Sequence, residues 1–278
     1  MDVDLQHIHR YYSPSDLYDR IVEGLQRMGK DLSAVTLDDL KPVDEFHIRG
    51  DVATKELIAL SGFTSDMHVL EVGCGIGGSA RRLSHQTGCR VTGLDLSASY
   101  IDTAERLTRL LGMHERVRFH AGSALSLPFA DETFDGAWSL QMNMNIEDKL
   151  SWLQEIHRVI KPDSRMLLYE VCGNRNAPIH FPVPWAQDRS MSFLVPPESF
   201  RELIAAVGFD ILSWVDQTDL AQEEFSQVSK PVGDPELPIL GSYLLVGRDI
   251  KTKAFNLRCN LEEERVSLIE AVAVKRRP

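Results

Sequence analysis

The sequence predicts an α/β fold built on a doubly wound, mostly parallel sheet, and three observations carry that expectation. From Met67 onward short apolar runs alternate with longer amphipathic runs, the pattern of repeated strand–helix units. A glycine-rich turn, Gly73-Cys74-Gly75-Ile76-Gly77-Gly78, directly follows one of the apolar runs. Asp95 closes the next run, about two dozen residues after Glu71, the separation typical of an acid that meets a ribose.

Taken in order, Ser13-Pro14 opens the first helix, and Leu17, Ile21, Leu25 and Met28 give it an apolar stripe up to Gly29. Residues 43–50 read as a polar turn without period, and a second helix is expected from Asp51 to Leu60. Residues 1–61 thus form an N-terminal helical cap. Strands are expected at Val69–Val72, Arg90–Leu94, Val117–His120, Phe134–Leu140 and Arg165–Val171, with helices after Ile76, Ala98, Glu147 and Pro197. Two further strands are placed at Ile211–Val215 and Ser242–Val246, and a helix around Leu220 to Val228, completing a principal domain of residues 62–249. The long connection 173–196, with His180-Phe181-Pro182-Val183-Pro184-Trp185, reads as an ordered lid. Residues 250–278 carry Phe255, Leu257, Leu261, Val266, Leu268 and Ile269. They are read as an extension beyond the sheet that closes a homodimer or covers the cap.

The composition narrows the function. With 30 Lys and Arg against 41 Asp and Glu, the formal charge is −11, which argues against the broad basic field of a nucleic-acid binder. No apolar run approaches the roughly 18 to 20 residues of a membrane span, and the acidic N-terminus is followed by no apolar leader. Cys74, Cys89, Cys172 and Cys259 are widely spaced, without a C-x-x-C pair, so neither a disulfide framework nor a metal cluster is expected, and the setting is read as cytoplasmic.

The glycine turn suits a ligand because glycine accepts positive φ and lets a ligand approach the backbone, while the helix that follows offers unpaired N–H groups. Asp95 then points to a nucleoside. Glu71, two residues before the first glycine, would repel a pyrophosphate and favour a cationic amino-acid end, so S-adenosylmethionine is preferred to NAD.

Four motifs in this order resemble the class I S-adenosylmethionine-dependent methyltransferases. They are Val69-Leu70-Glu71-Val72-Gly73-Cys74-Gly75-Ile76-Gly77-Gly78, Gly93-Leu94-Asp95-Leu96-Ser97, the stretch Leu127-Pro128-Phe129-Ala130-Asp131-Glu132-Thr133-Phe134-Asp135, and His157-Arg158-Val159-Ile160-Lys161-Pro162. The likeness spans residues 67–172. It implies a Rossmann-like, seven-stranded sheet whose last strand is antiparallel, with S-adenosylmethionine at the carboxyl ends of the first strands and S-adenosylhomocysteine as product. Carried over, Gly73, Gly75 and Gly77 line the methionine part, Asp95 holds the ribose hydroxyls, Leu96 lies against adenine, and Glu71 organises the methionine amino group or the loop. Where many members carry an acid after the third strand, this chain has Gly122-Ser123-Ala124, so Ser123 meets adenine without charge assistance. Ala124 and Gln141 complete the expected cofactor-binding set. A second departure, Lys161-Pro162-Asp163-Ser164 in place of two glycines after the proline, reads as a structural turn.

On the acceptor side, His47, His180 and Tyr12 are the candidate catalytic residues, and Tyr11, Tyr18, Asn143, Asn145 and Trp185 the candidate acceptor contacts. Each has a plainer reading: tyrosines stacked on the core, Asn145 as the cap of the next helix, His47 as a loop anchor. Phe46-His47-Ile48-Arg49-Gly50 resembles, more loosely, the small-molecule branch of quinone, sarcosine and dimethylglycine, and phosphoethanolamine methyltransferases. The expected partner is therefore a small-molecule methyl acceptor. An amine nitrogen is preferred, and O- or C-methylation of a small aromatic or quinone-like metabolite is the alternative. An NAD-dependent oxidoreductase and a non-catalytic cofactor-binding protein are the competing classes.

Overall fold

The computed structural model describes residues 8, 11, 12, 16–174, 178–233 and 236–277. The strands are β1 (His68–Val72), β2 (Arg90–Asp95), β3 (Val117–Ala121), β4 (Phe134–Leu140), β5 (Ile160–Gly173), β6 (Phe209–Asp216) and β7 (Val266–Lys275). The first helices are α1 (Leu17–Arg27), α2 (Leu37–Asp44), α3 (Gly50–Ser61), α4 (Gly78–Thr87) and α5 (Ala98–Leu110). They are followed by α6 (Lys149–Val159), α7 (Pro197–Val207), α8 (Thr218–Phe225), α9 (Tyr243–Val246) and α10 (Ile250–Glu262). The strands form a seven-stranded sheet in the order β3-β2-β1-β4-β5-β7-β6. By contacts the chain divides into two units, Met1–Ser123 with Glu236–Arg248, and Ala124–Pro235 with Asp249–Pro278.

In the first unit β1, β2 and β3 pair in parallel, Val69 opposite Val91 and Val91 opposite Val117. Val69, Leu70 and Val72 of β1 are fully buried, as expected of a strand covered on both faces. Helix α1 buries Leu17, Ile21 and Leu25, one stripe at helical spacing, and its chain turns out at Gly29, φ 75°. The expected Ser13-Pro14 start lies outside the described residues. Helix α2 corrects the reading of 43–50 as a turn, since Val43 and Asp44 are helical. Thr36 and Asp39 form a capping box there, the Asp39 Oδ2 accepting from the Thr36 amide at 2.9 Å, and it starts a helix that Pro42 disguises in the sequence.

In the second unit β4 and β5 are parallel, and β7 runs antiparallel to both β5 and β6. The expected strand at Ser242–Val246 is instead the short helix α9, and the last strand is Val266–Lys275. A run of consecutive apolar residues such as Leu244, Leu245 and Val246 does not by its period distinguish strand from helix. Both edges of β7 are paired within the sheet, so the apolar residues read as closing a dimer, Val266, Leu268 and Ile269, are buried in their own unit. Trp152 of α6 stacks on Phe200 of α7 at 6.1 Å, anchoring these helices. Among the described residues no helix is long and apolar enough to cross a membrane.

Candidate active site

The glycine turn leaves β1 and hooks onto the end of β2: the amides of Gly73 and Cys74 donate to Leu94 O at 2.8 and 3.1 Å. Gly75 has φ 53°, and a Cβ built on it would meet no atom within 4 Å, so this glycine borders open space. The Asp95 carboxylate links two turns, Oδ2 accepting from the Gly75 amide and Oδ1 from the Ser97 amide, each at 2.9 Å. Gly73 and Gly75 thus lie against the end of β2 and Asp95, whereas a Cβ on Gly77, φ 82°, would strike the Phe119 ring, so that glycine serves close packing. Leu96 follows directly, and the Gly122 amide, donating to Asp95 O at 2.9 Å, carries Ser123 toward the same strand ends.

Glu71 is 1% exposed. Its Oε1 accepts from the Ser79 hydroxyl in the first turn of α4, while its Oε2 is buried without a hydrogen-bond partner among the described residues. Burial, with Glu45 and Asp95 adding to it, pushes this carboxyl up to about 8, against the pull of Ser79 and Arg81. Tyr12 lies beside this strand end: its carbonyl accepts from Ser97 Oγ at 2.6 Å, and its ring meets Tyr11 edge-on at 4.8 Å and Tyr100 at 5.9 Å. Burial raises the Tyr12 phenol well above its ordinary value, so it stays protonated and suits a donor better than a base. Tyr18 is placed differently, under the guanidinium of Arg106 at 3.7 Å. His47 Nε2 lies 3.0 Å from both Gly50 O and Thr54 Oγ1, and burial pulls its pKa down to about 4. This is the geometry of a neutral histidine that anchors its loop.

In the second unit the loop after β4 carries Gln141, Asn143 and Asn145. Gln141 adopts φ 52°, and its Nε2 is buried without a partner among the described residues. Asn143 is fully buried, donates from Nδ2 to Val171 O at 2.9 Å, and its Oδ1 has no partner among the described residues. Glu170, which the sequence reading passed over, organises this loop. Its carboxylate accepts from Ser139 Oγ at 2.9 Å and from the Met142 and Asn143 amides at 2.8 Å each. Burial pushes Glu170 up to about 8 despite these donors. A glutamate inside the apolar run Met166-Leu167-Leu168-Tyr169-Glu170-Val171-Cys172 was the available signal.

Asn145 does not cap the next helix, a role that Asp148 takes, its Oδ1 accepting from the Ser151 amide at 3.0 Å. Its Nδ2 donates instead to Trp185 O at 3.0 Å and Met191 O at 2.9 Å, holding the 178–196 segment. Buried Lys149 adds Nζ bonds to Ile146 O and Phe193 O. Trp185 is 2% exposed and donates to Ser192 Oγ at 3.0 Å, so it anchors the segment from within. His180 is half-exposed, with its Nε2 3.0 Å from Glu263 Oε2. Ala124 is buried at the start of the same unit.

The residues around the glycine turn fit S-adenosylmethionine. A carboxylate at the end of β2 suits vicinal hydroxyls, the space at Gly75 admits a chain against the backbone, and Glu71 offers a buried acceptor beside the turn.

Known proteins agree with this geometry. Residues 70–168 match the methyltransferase domain family. O-methyltransferase resE of Aspergillus sclerotiorum is 32% identical over 187 residues, covering 66% of this chain and 69% of that protein. Methyltransferase GfsG of Streptomyces halstedii is 26% identical over 233 residues, covering 81% of this chain and 82% of that protein. The crystal structure of geranyl diphosphate C-methyltransferase from Streptomyces coelicolor A3(2), with Mg2+, geranyl diphosphate and S-adenosylhomocysteine, aligns with a TM-score of 0.70 at 18% identity. It covers 99% of this chain and 98% of that one. With its glycine turn, its strand order and these relatives in agreement, the chain belongs to the class I S-adenosylmethionine-dependent methyltransferases.

Proposed function

We propose that this enzyme methylates a hydroxyl oxygen of a small organic acceptor. The observation that carries the reading is the likeness to resE, which is named an O-methyltransferase. On the loop after β4, Gln141 Nε2 and Asn143 Oδ1 are buried without a hydrogen-bond partner among the described residues, a donor and an acceptor available to orient a polar acceptor. S-adenosylmethionine supplies an activated methyl group. The work left to this chain is to align the acceptor lone pair and to exclude water. In this reading Asp95 and the glycine turn hold the nucleoside, Asn143 and Gln141 orient the acceptor, and residues 178–196 cover it. Asn145 and Lys149 keep that segment in place.

An amine acceptor is the second reading, and a different observation favours it. A cleft of about 880 Å³ in the second unit is lined by Glu198, Glu202, Asp216, Asp219 and Glu264, with no lysine or arginine among its described lining residues. Such a wall suits a cation. Transfer of labelled methyl to matched panels of phenols, alcohols and amines separates the two. Methyl ethers are the expected products; N-methyl products alone would transfer the assignment to the second reading. Cofactor binding without turnover on any panel would favour a binding protein.

A further inference from the structure

The first unit contains a buried polar cluster that the cofactor site does not explain. Gly78 ends the glycine run, yet a Cβ there would lie 2.3 Å from Asp44 O and 2.5 Å from Asp44 Cβ. Its missing side chain makes room for the end of α2 rather than for a ligand. One turn further along α4, Arg81 is fully buried and has contacts in three directions. Its Nη2 donates to Asp44 Oδ1 at 2.6 Å, and its Nη1 donates to Ile76 O in the glycine turn at 2.9 Å and to Thr108 Oγ1 of α5 at 3.0 Å. Arg82 beside it reaches Asp38 and Asp51 at 3.2 Å and Glu45 at 3.6 Å, all on α2, α3 or the corner between them. That corner is itself closed by Thr54, which donates to Glu45 Oε2 at 2.7 Å, and by His47 on Gly50 O.

A planar guanidinium with its donors in a fixed fork transmits position between its acceptors better than a flexible ammonium. The carbonyl it holds belongs to the turn that meets the cofactor, and the carboxylate it holds belongs to the cap. We propose that Arg81 is a positioning residue that couples helices α2 and α3 to the glycine turn, so that cofactor binding and docking of these helices stabilise each other. Coupling of this kind is reciprocal: whatever docking adds to cofactor affinity, the cofactor returns to docking. The inference rests on the cofactor lying at Gly73–Gly77, and the experiment separates the two claims.

Hydrogen exchange of the full-length enzyme, with and without S-adenosylhomocysteine, is measured in peptides spanning 73–78 and 37–58. Protection at 73–78 reports the cofactor's place, and protection at 37–58 reports the coupling. The wild type is expected to show both. In Asp44→Asn the local protection persists, the remote protection is lost, and affinity for S-adenosylhomocysteine falls by about tenfold, within the usual span of coupling effects. Removing one partner of a buried pair is strongly destabilising. Arg81→Lys, which keeps the charge and loses the fork, is therefore the second variant, with a smaller fall expected in the same two readouts. Variants that melt earlier yet bind with wild-type affinity would show a merely structural role and overturn the proposal. So would a wild type protected at 73–78 alone. Absence of protection at 73–78 would overturn the placing of the cofactor and the coupling together.

Discussion

Asp95 ties the glycine turn to the start of α5 through the Gly75 and Ser97 amides, and the proposed cofactor site turns on it. Asp95→Ala removes a charged hydrogen-bond acceptor, and affinity for S-adenosylhomocysteine is expected to fall by about 1.5 to 3 kcal/mol, roughly 10- to 150-fold. Calorimetric titration measures it, and unchanged affinity would refute the ribose assignment. Glu71 and Glu170 give a prediction in pH. Both carboxyls are raised to about 8 in the fold, so between their ordinary range and that value the folded chain holds protons that the unfolded chain has lost. Their contribution to stability is full below about pH 4.5 and declines as pH rises toward 8. His47 acts in the opposite window: held at about 4, it stabilises above its ordinary 6.5 and loses that contribution as the pH falls through 6.5 toward 4. Melting temperatures from pH 5 to 8.5 should fall less steeply in Glu71→Gln and in Glu170→Gln than in the wild type. Parallel curves would mean that neither carboxyl is raised.

At the level of elements, the segment 178–196 has little regular structure and is held by side chains from neighbouring elements. Asn145 and Lys149 supply bonds from the β4 loop and α6, the latter to Phe193 O, Asn256 of α10 donates to Pro182 O at 2.9 Å, and Asn260 donates to His180 O at 3.0 Å. Asn145→Ala removes two of these bonds at once. It is expected to cost roughly 1 to 3 kcal/mol locally and to open the segment to limited proteolysis within 178–196, with the rest of the unit still folded. A wild-type cleavage pattern would show that the amide is not what orders the segment. The strands around this loop were legible from their apolar runs, Phe134–Leu140 to the residue. Helix α2 was not, because a proline and an eight-residue length hide its period, although the Thr36 and Asp39 capping pair stood in the sequence.

Across the whole molecule, the strand order makes the last strand indispensable. β7 lies between β5 and β6 and pairs with both along most of its length, Arg165 opposite Val274 and Asp216 opposite Ile269. A chain ending at Arg265 would leave β6 detached and an unpaired apolar edge on β5. Its second unit is expected to show no cooperative melting transition by circular dichroism. A normal transition would mean that the sheet tolerates the loss of its penultimate member. Exposed carboxylates such as Asp19, Asp38 and Glu115 contribute to the formal charge of −11, each beside a basic or imidazole side chain.

The proposed cofactor half of the site is legible in residue order because its parts are local. A turn that needs positive φ writes itself as glycine, and an acid at the end of the next parallel strand falls at a fixed distance along the chain, so Gly73, Gly75, Gly77 and Asp95 stand out in the sequence. The proposed acceptor contacts and the support beneath the turn were decided by tertiary structure alone. Glu170 meets Asn143 across 27 residues, Arg81 meets Asp44 across 37, and His180 pairs with Glu263 across 83. Burial then fixed their protonation, neutral for His47 and raised for Glu71, because the energy of a charge depends on the medium around it, and that medium is assembled only when distant segments pack.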